Sequence, residues 1–232
     1  MQATATTLDR AALTTRETNR AIKAALAAGQ PVRVINPGAH HNIGVALLQP
    51  GTLTVDGSAG YYCGGMNDGA TVEIAGSAGW GVAEGMLSGL VTVHGNAGNG
   101  AAASLRGGTV VVRGDCASRA GTGMKGGLLL VGGAVGYMTG FMMQRGAIVV
   151  CGDAGEALAD SMYEGTVFVG GEIASLGNDA VFAEITADEE KMLTGAFATH
   201  RITRPKRLRK IVAGRKLWNF HKSEIAFWRE AL

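Results

Sequence analysis

Proline is scarce, at 4 of 232 residues, cysteine scarcer at 3, and charged side chains make up only 17% of the chain. The three cysteines, Cys63, Cys116 and Cys151, are odd in number and have no C-x-x-C spacing, which argues against a disulfide framework and against a zinc cluster. Strictly apolar runs in the body of the chain, such as Leu128 to Val131, reach only four or five residues, far short of the roughly 20 that cross a bilayer, so no membrane span is expected. The first 30 residues intersperse Asp9, Arg10, Arg16, Glu17, Arg20 and Lys23 with alanines and lack the apolar block of a secretory signal. No Asn-X-Ser/Thr acceptor occurs. These absences together point to a reducing cytoplasm. With 47% hydrophobic residues the chain has material for a substantial core, so disorder is not expected.

What is abundant is glycine, 37 of 232 residues, about twice the usual share of roughly 7%. The lack of a Gly-X-Y period excludes collagen. Charge is unevenly placed. Residues 201–232 hold ten Lys and Arg against two Glu, and residues 1–200 hold eleven against seventeen acidic residues. A basic segment on an acidic body commonly meets an acidic partner, nucleic acid or membrane surface.

Self-similarity accounts for the glycine. Gly57, Gly76, Gly95, Gly114, Gly133, Gly152 and Gly171 follow one another at steps of 19 residues without insertion or deletion. Four residues before these anchors stand Leu53, Val72, Val91, Val110, Leu129, Ile148 and Val167, and two before them Val55, Ile74, Val93, Val112, Val131, Val150 and Val169. The intervening residues are Thr54, Glu73, Thr92, Val111, Leu130, Val149 and Phe168. Alternation of period two predicts a strand, open to water on its outer face in the first three repeats and covered in the last four. Ten residues after the anchors come Asn67, Met86, Leu105, Met124, Met143, Met162 and Val181, a second inward column. Two after come Ala59, Ala78, Ala97, Cys116, Val135, Ala154 and Ile173, a smaller third. Glycine or alanine six before and three after each anchor marks corners, where backbone passes close to backbone. A strand of this length cannot bury its aliphatic face alone, but stacked coils pair every strand in parallel and share one core. The expected fold is an all-β solenoid, a parallel β-helix of about seven 19-residue coils. At about 4.8 Å per coil it is roughly 33 Å long.

The boundaries follow: a helical and strand N-terminal cap over residues 1–50, the β-helix over 51–183, and a C-terminal helical cap with a basic aromatic tail over 184–232. Asp9, Thr14 and Thr15 are candidate helix N-caps, Gly29 with Pro31 a stop, Val32 to Ile35 a strand and Asn36-Pro37-Gly38 a turn. Asp188-Glu189-Glu190-Lys191 followed by Met192 and Leu193 reads as a helix that caps the far end. In the tail, Leu208, Ile211 and Val212 stand at helical spacing among basic residues, followed by Trp218, Phe220, Phe227 and Trp228. So many apolar residues need burial, which favours docking on a partner protein over stacking on RNA.

Reactive groupings are few. Gly121 to Gly126 matches G-x-G-x-x-G but lies inside the repeat with no βαβ unit around it. His94 follows an inward valine, faces solvent and has no carboxylate at fixed spacing; His40-His41 read as a polar turn. Cys116 occupies an alanine column, while Cys63 and Cys151 read as corner or edge residues. Asp68, Glu84, Asp160 and Glu164 are scattered over separate coils. The methionine column reads as core packing, with a ligand tunnel as its rival. Tyr61, Tyr62, Trp80 and Tyr137 fall on an outward corner, as partner contacts or as plain exposed rings.

The run Val34-Ile35-Asn36-Pro37-Gly38 leading to Ile43-Gly44-Val45-Ala46-Leu47 carries a resemblance, as do the coil segments Gly85-Met86-Leu87-Ser88-Gly89, Gly132 to Gly140 and Gly146-Ala147-Ile148-Val149-Val150. Over roughly residues 30–183 the chain resembles the GXGXG β-helix at the C-terminus of the glutamate synthase large subunit, a family that also includes the β-helix polypeptide of formylmethanofuran dehydrogenase. The resemblance implies a right-handed β-helix without catalytic residues. It implies a scaffold, here a separate subunit, holding a class II glutamine amidotransferase against an FMN-binding, iron–sulfur synthase subunit in a higher-order hetero-oligomer. Such split systems include N-methylglutamate synthase of methylamine metabolism. FMN and iron–sulfur clusters are then expected in the partner and no cofactor in this chain. Trp218, Phe220, Phe227 and Trp228 become expected interface anchors, with Arg204, Lys206, Arg207, Arg209 and Lys210 as their polar rim.

Three rival readings stay open: a solenoid acyltransferase or polysaccharide-active enzyme with His94 as base, a nucleic-acid-binding tail, and a scaffold in a formylmethanofuran dehydrogenase or formyltransferase/hydrolase complex. The register itself is testable: Val112→Asp places a carboxylate in the inward stripe of the fourth coil and should abolish soluble expression, whereas a stable folded variant would refute the register.

Overall fold

The computed structural model describes residues 5–214. The chain opens with β1 (Thr6–Asp9), a 3-10 turn at Arg10–Ala12, α1 (Thr15–Ala27) and β2 (Val32–Ile35). Strands β3 (Gly51–Val55), β4 (Asp68–Ile74), β5 (Ser88–Val93), β6 (Thr109–Val112), β7 (Lys125–Val131), β8 (Arg145–Val150) and β9 (Thr166–Val169) then follow, one per coil. Each pairs in parallel with the next, so the fold is a parallel β-solenoid. Pairing reproduces the 19-residue step: Leu53, Val72, Val91, Val110, Leu129, Ile148 and Val167 are successive partners, as are Val55 through Val169. All fourteen of these side chains are fully buried. A second ladder of single bridges links Ala59, Ala78, Ala97, Cys116, Val135, Ala154 and Ile173.

The third side of each coil is built differently. In coils one to six the fifth, seventh and ninth residues after the anchor all have positive φ, as in Gly81, Ala83 and Gly85 (66°, 57°, 65°) or Gly100, Ala102 and Ser104 (69°, 56°, 55°). The amides of these positive-φ residues point by turns to the following and the preceding coil. Gly81 N donates forward to Asn99 O while Ala83 N donates back to Cys63 O. The seventh-position side chain points into the core, where only glycine or alanine stands: Gly64, Ala83, Ala102, Gly121, Gly140 and Ala159.

Before the first full coil, Asn42, Gly44 and Ala46 repeat this left-handed alternation, and β2 pairs with β3 through Val32↔Leu53. Residues 32–47 therefore wind a further turn, at a longer spacing than 19. The β1 strand extends the sheet beside β2. Helix α1 starts from a capping box between Thr14 and Glu17 and buries Ile22, Ala25 and Leu26. Its Asn19 side chain bonds Gly44 N at 2.9 Å and Asn42 O at 2.7 Å.

The far end departs from expectation. Strand β10 (Ala180–Ala183) and helix α2 (Ala187–His200) are followed by β11 (Arg209–Ala213), which inserts antiparallel between β9 and β10. The tail region read as helical from Leu208, Ile211 and Val212 is thus a strand: Ile211 is fully buried in the solenoid core while Leu208 packs under α2. Helix α2 does not close the end of the prism. Its Leu193 and Phe197 lie on the outer face of the sheet over Val111, Leu130, Val149 and Phe168, the four apolar outward positions in the sequence pattern. The sheet instead continues past β9 through β11 to β10, which stands outermost. Coil seven is one residue short, since Leu158 bridges Leu176 at a step of 18, and Val181 consequently leaves the inward column and is 42% exposed.

The left-handed side gives a paired test. Gly121 and Gly123 share nearly the same φ (65° and 62°), but a Cβ on Gly121 would lie 2.4 Å from Ile148 Cδ1, and one on Gly123 only 3.7 Å from Ser104 Oγ. Gly123→Ala should cost about 1 kcal/mol of backbone strain, and Gly121→Ala about 1 to 3 kcal/mol more from overpacking, read from denaturant midpoints.

Candidate functional site

Of the nine expected interface residues, Trp218, Phe220, Phe227 and Trp228 lie outside the described residues. The basic five are described, and three bond within the chain. Arg204 grips Glu190 on α2, with contacts of 2.6 and 2.9 Å to the two carboxylate oxygens, and donates to Thr194 at 3.2 Å. Arg209 donates to Gly171 O and approaches Glu172 at 3.6 Å. Lys210, 10% exposed, donates to Glu184 O at 3.1 Å and to Glu189 Oε2 at 2.8 Å. Arg209 thus ties β11 to coil seven, Lys210 ties β11 to α2, and Arg204 folds the connection between them back onto α2, whereas Lys206 and Arg207 are exposed. Arg207, Arg209 and Lys210 border a cleft of about 540 Å³ with Phe182, Glu184 and Ile185. A truncation at residue 201 would therefore unmake the end of the fold; one that leaves it intact must begin after Gly214.

Glu189 sits where the helix cap and the strand meet. Burial alone would raise its carboxyl, but hydrogen bonds from Lys210 and from Thr186 outweigh this and hold it below the usual carboxylate range. The neighbouring Glu190 is lowered chiefly by its hydrogen bond from Arg204.

The thiols are guarded by burial. Cys63, expected at a corner, is fully buried because it falls between the left-handed residues Tyr62 and Gly64, where the side chain turns inward; desolvation pushes its thiol up to about 12. Cys116 is raised further, by burial and then by Asp115. Cys151, packed at the margin of the α2 cluster, is raised by burial to about 11. His94 does have a carboxylate: its Nε2 lies 3.0 Å from Glu73 Oε2. The partner stands 21 residues earlier, one coil plus two, a spacing that a search for in-register pairs passes over. Arg113 from the next coil donates to His200 O at 3.3 Å. Burial first, then the Arg113 charge, lower the His200 imidazole, with Glu73 opposing. These groups tie the end of α2 to coils two to four. Gly121 and Gly126 of the G-x-G-x-x-G match meet Ile148 and Arg106 O respectively, so they serve close packing between coils. Among the described residues no group of three His, Cys, Asp or Glu stands at metal-ligating separation. No helix among them is long and apolar enough to cross a membrane.

Two features escaped sequence reading. At the residue after each anchor, Ser58, Ser77, Asn96 and Asp115 each accept a hydrogen bond from the backbone N–H one coil on, at 2.8–3.1 Å, and Asp153 does the same to Glu172 N at 2.7 Å. The signal was a 19-residue column of short polar side chains. The second is an aromatic stack at the corner: His41 over Tyr61 (4.3 Å between centroids) and Tyr61 over Trp80 (5.2 Å), with His41 Nδ1 accepting from Tyr61 N. His41 belongs to the extra turn, which the strict register did not include. Trp80 is 53% exposed, and Tyr62 and Met66 beside it are similarly bare. Two hollows of about 390 and 210 Å³ open on this side, both lined by Tyr62 and Glu84.

No protein-family model matches the chain. A 41-residue segment is 49% identical to Protein GlxC of Rhizobium meliloti (strain 1021). The matched segment spans 18% of this chain and 18% of that relative, a local likeness.

The fastening of the cap is testable. Lys210→Met leaves the Glu189 carboxylate half-buried without its cation and should cost about 1 to 3 kcal/mol. A lowered carboxyl contributes stability that is complete above its ordinary range, about pH 4.3, and fades as pH falls through its depressed value. Wild-type stability should therefore fall more steeply than that of Lys210→Met below about pH 4, converging on the variant in acid, as followed by denaturant unfolding across pH.

Proposed function

We propose that this chain is the scaffold subunit of a glutamate synthase-like complex, that of an N-methylglutamate synthase. Such a complex forms N-methyl-L-glutamate and ammonia from L-glutamate and methylamine. In this reading the solenoid holds a glutamine amidotransferase subunit and an FMN- and iron–sulfur-bearing synthase subunit at fixed separation. The chemistry belongs to the partners, and this chain supplies geometry. A prism closed by fourteen fully buried aliphatics suits that task, because a close-packed interior transmits position without yielding.

The observation that carries the reading is the sequence of the coils, which resembles the GXGXG domain of glutamate synthase and forms the solenoid that resemblance implies. The large exposed side chains lend support: Tyr61, Tyr62, Met66, Trp80, Tyr137 and Met142 stand on the lateral surface. Aromatic and methionine residues are the types enriched where proteins dock.

Purifying the N-terminally tagged chain from cells that make it naturally tests the proposal. The expected result is two further polypeptides in fixed ratio, flavin absorbance in the complex, and methylamine-dependent N-methylglutamate formation by the complex but not by the isolated chain. Recovery of the chain alone, of formyltransferase and amidohydrolase partners, or of flavin on the isolated chain would overturn it.

A further inference from the structure

We infer that the side of the solenoid between Tyr62 and Arg119 is the seat of one amphipathic helix from a partner protein. That helix turns an apolar face to the surface and sets a basic residue against Glu84 and an acidic one against Arg119. The assignment rests on the scaffold reading only in drawing the partner from that complex.

Shape is the first argument. The two hollows adjoin, with Tyr62 and Glu84 lining both, and make up one patch. Tyr62 and Met66 of coil one bound it on one side, and Arg119 and Thr122 of coil four on the other. Three coil steps of roughly 4.8 Å make the patch about 14 Å across, with Trp80 and Glu84 of coil two standing within it, enough surface for a helix of about 10–12 Å diameter to lie on. Its floor is low. A Cβ on Gly100 would touch only Ala103 Cβ, at 3.9 Å, so an incoming side chain can reach the backbone there.

Chemistry is the second. Tyr62, Met66 and Trp80 are 46%, 52% and 53% exposed, large apolar surfaces held in water. Trp80 is stacked on Tyr61 and Tyr61 on His41, so the wall is rigid in advance and loses little rotamer freedom when covered. Glu84 and Arg119, of opposite sign, have no ion pair among the described residues. A helix with a cation and an anion on its docking face satisfies both, and gives the interface an orientation.

The third argument selects a helix over an added strand. The peptide groups on this side are spent on neighbouring coils, Met66 N on Glu84 O, Gly81 N on Asn99 O and Gly85 N on Ala103 O. No open edge invites β-pairing.

The test uses the native complex. Ala103→Trp raises the floor and Arg119→Glu reverses one charge. Each should keep the wild-type circular dichroism spectrum and melting temperature yet weaken one partner by at least tenfold. A photo-cross-linking residue replacing Thr122 should join a helical peptide of that partner carrying an acidic residue. Undiminished assembly of Arg119→Glu, or a cross-link to a strand, to a loop or to a second copy of this chain, overturns the helix seat and leaves the scaffold reading standing. A wild-type chain that recovers no partner overturns both. Should Ala103→Trp fail to fold, the exposed Arg119 position and the cross-link still decide.

Discussion

Everything in this molecule depends on the hydrogen-bonded step from one coil to the next. Parallel pairing at a constant offset requires every coil to have the same path length. The chain meets this by keeping 19 residues per coil from Gly57 to Gly171. The offset in turn brings like residues into columns: aliphatics under aliphatics, methionines in one row, short polar side chains bonding the backbone of the coil above. A substitution is therefore never local to one coil. An extra methyl at Gly121 presses on Ile148, a β8 residue two coils on, and the polar ladder from Ser58 to Asp115 would lose one rung at a time.

Most of the solenoid was legible because its cause is periodic. Inward and outward positions, the covered outer face of the last four coils and the methionine column all follow from spacing and side-chain type. What escaped did so where the period breaks. The turn before β3 runs longer than 19 residues, hiding the place of His41 in the stack. Coil seven is a residue short, which moved Val181 out of the core. The β11 strand was misread because Leu208, Ile211 and Val212 satisfy helical spacing, while the berth they fill, beside β9 and under α2, exists only in three dimensions. Arg204, Arg209 and Lys210 suffered the same fate: a basic run looks like a solvated rim until the carboxylates and carbonyl oxygens that meet it are placed.

The surfaces divide by coil. On the sheet's outer face, Thr54, Glu73 and Thr92 stand at the first three outward positions and α2 occupies the remainder, tied down through Glu189 and His200. The left-handed side, by contrast, mixes bulky and minimal residues without a period, so its relief is set by individual choices at the fifth, eighth and ninth positions. A uniform backbone thus carries an uneven exterior. That is how a repeat protein acquires a specific contact without altering its frame.

The reversal of direction at β11 has a consequence for biosynthesis. A parallel stack has no intrinsic end, and β9 would offer its bare edge to any further strand of like hand. The segment that blocks it is separated from β9 by β10 and all of α2, so it leaves the ribosome well after the edge it covers. Until residues 209–213 are in place, the β9 edge lacks the strand that pairs with it in the finished fold. In the finished sheet the parallel stack gives way to an antiparallel pair, β11 against β9 and β10 outermost.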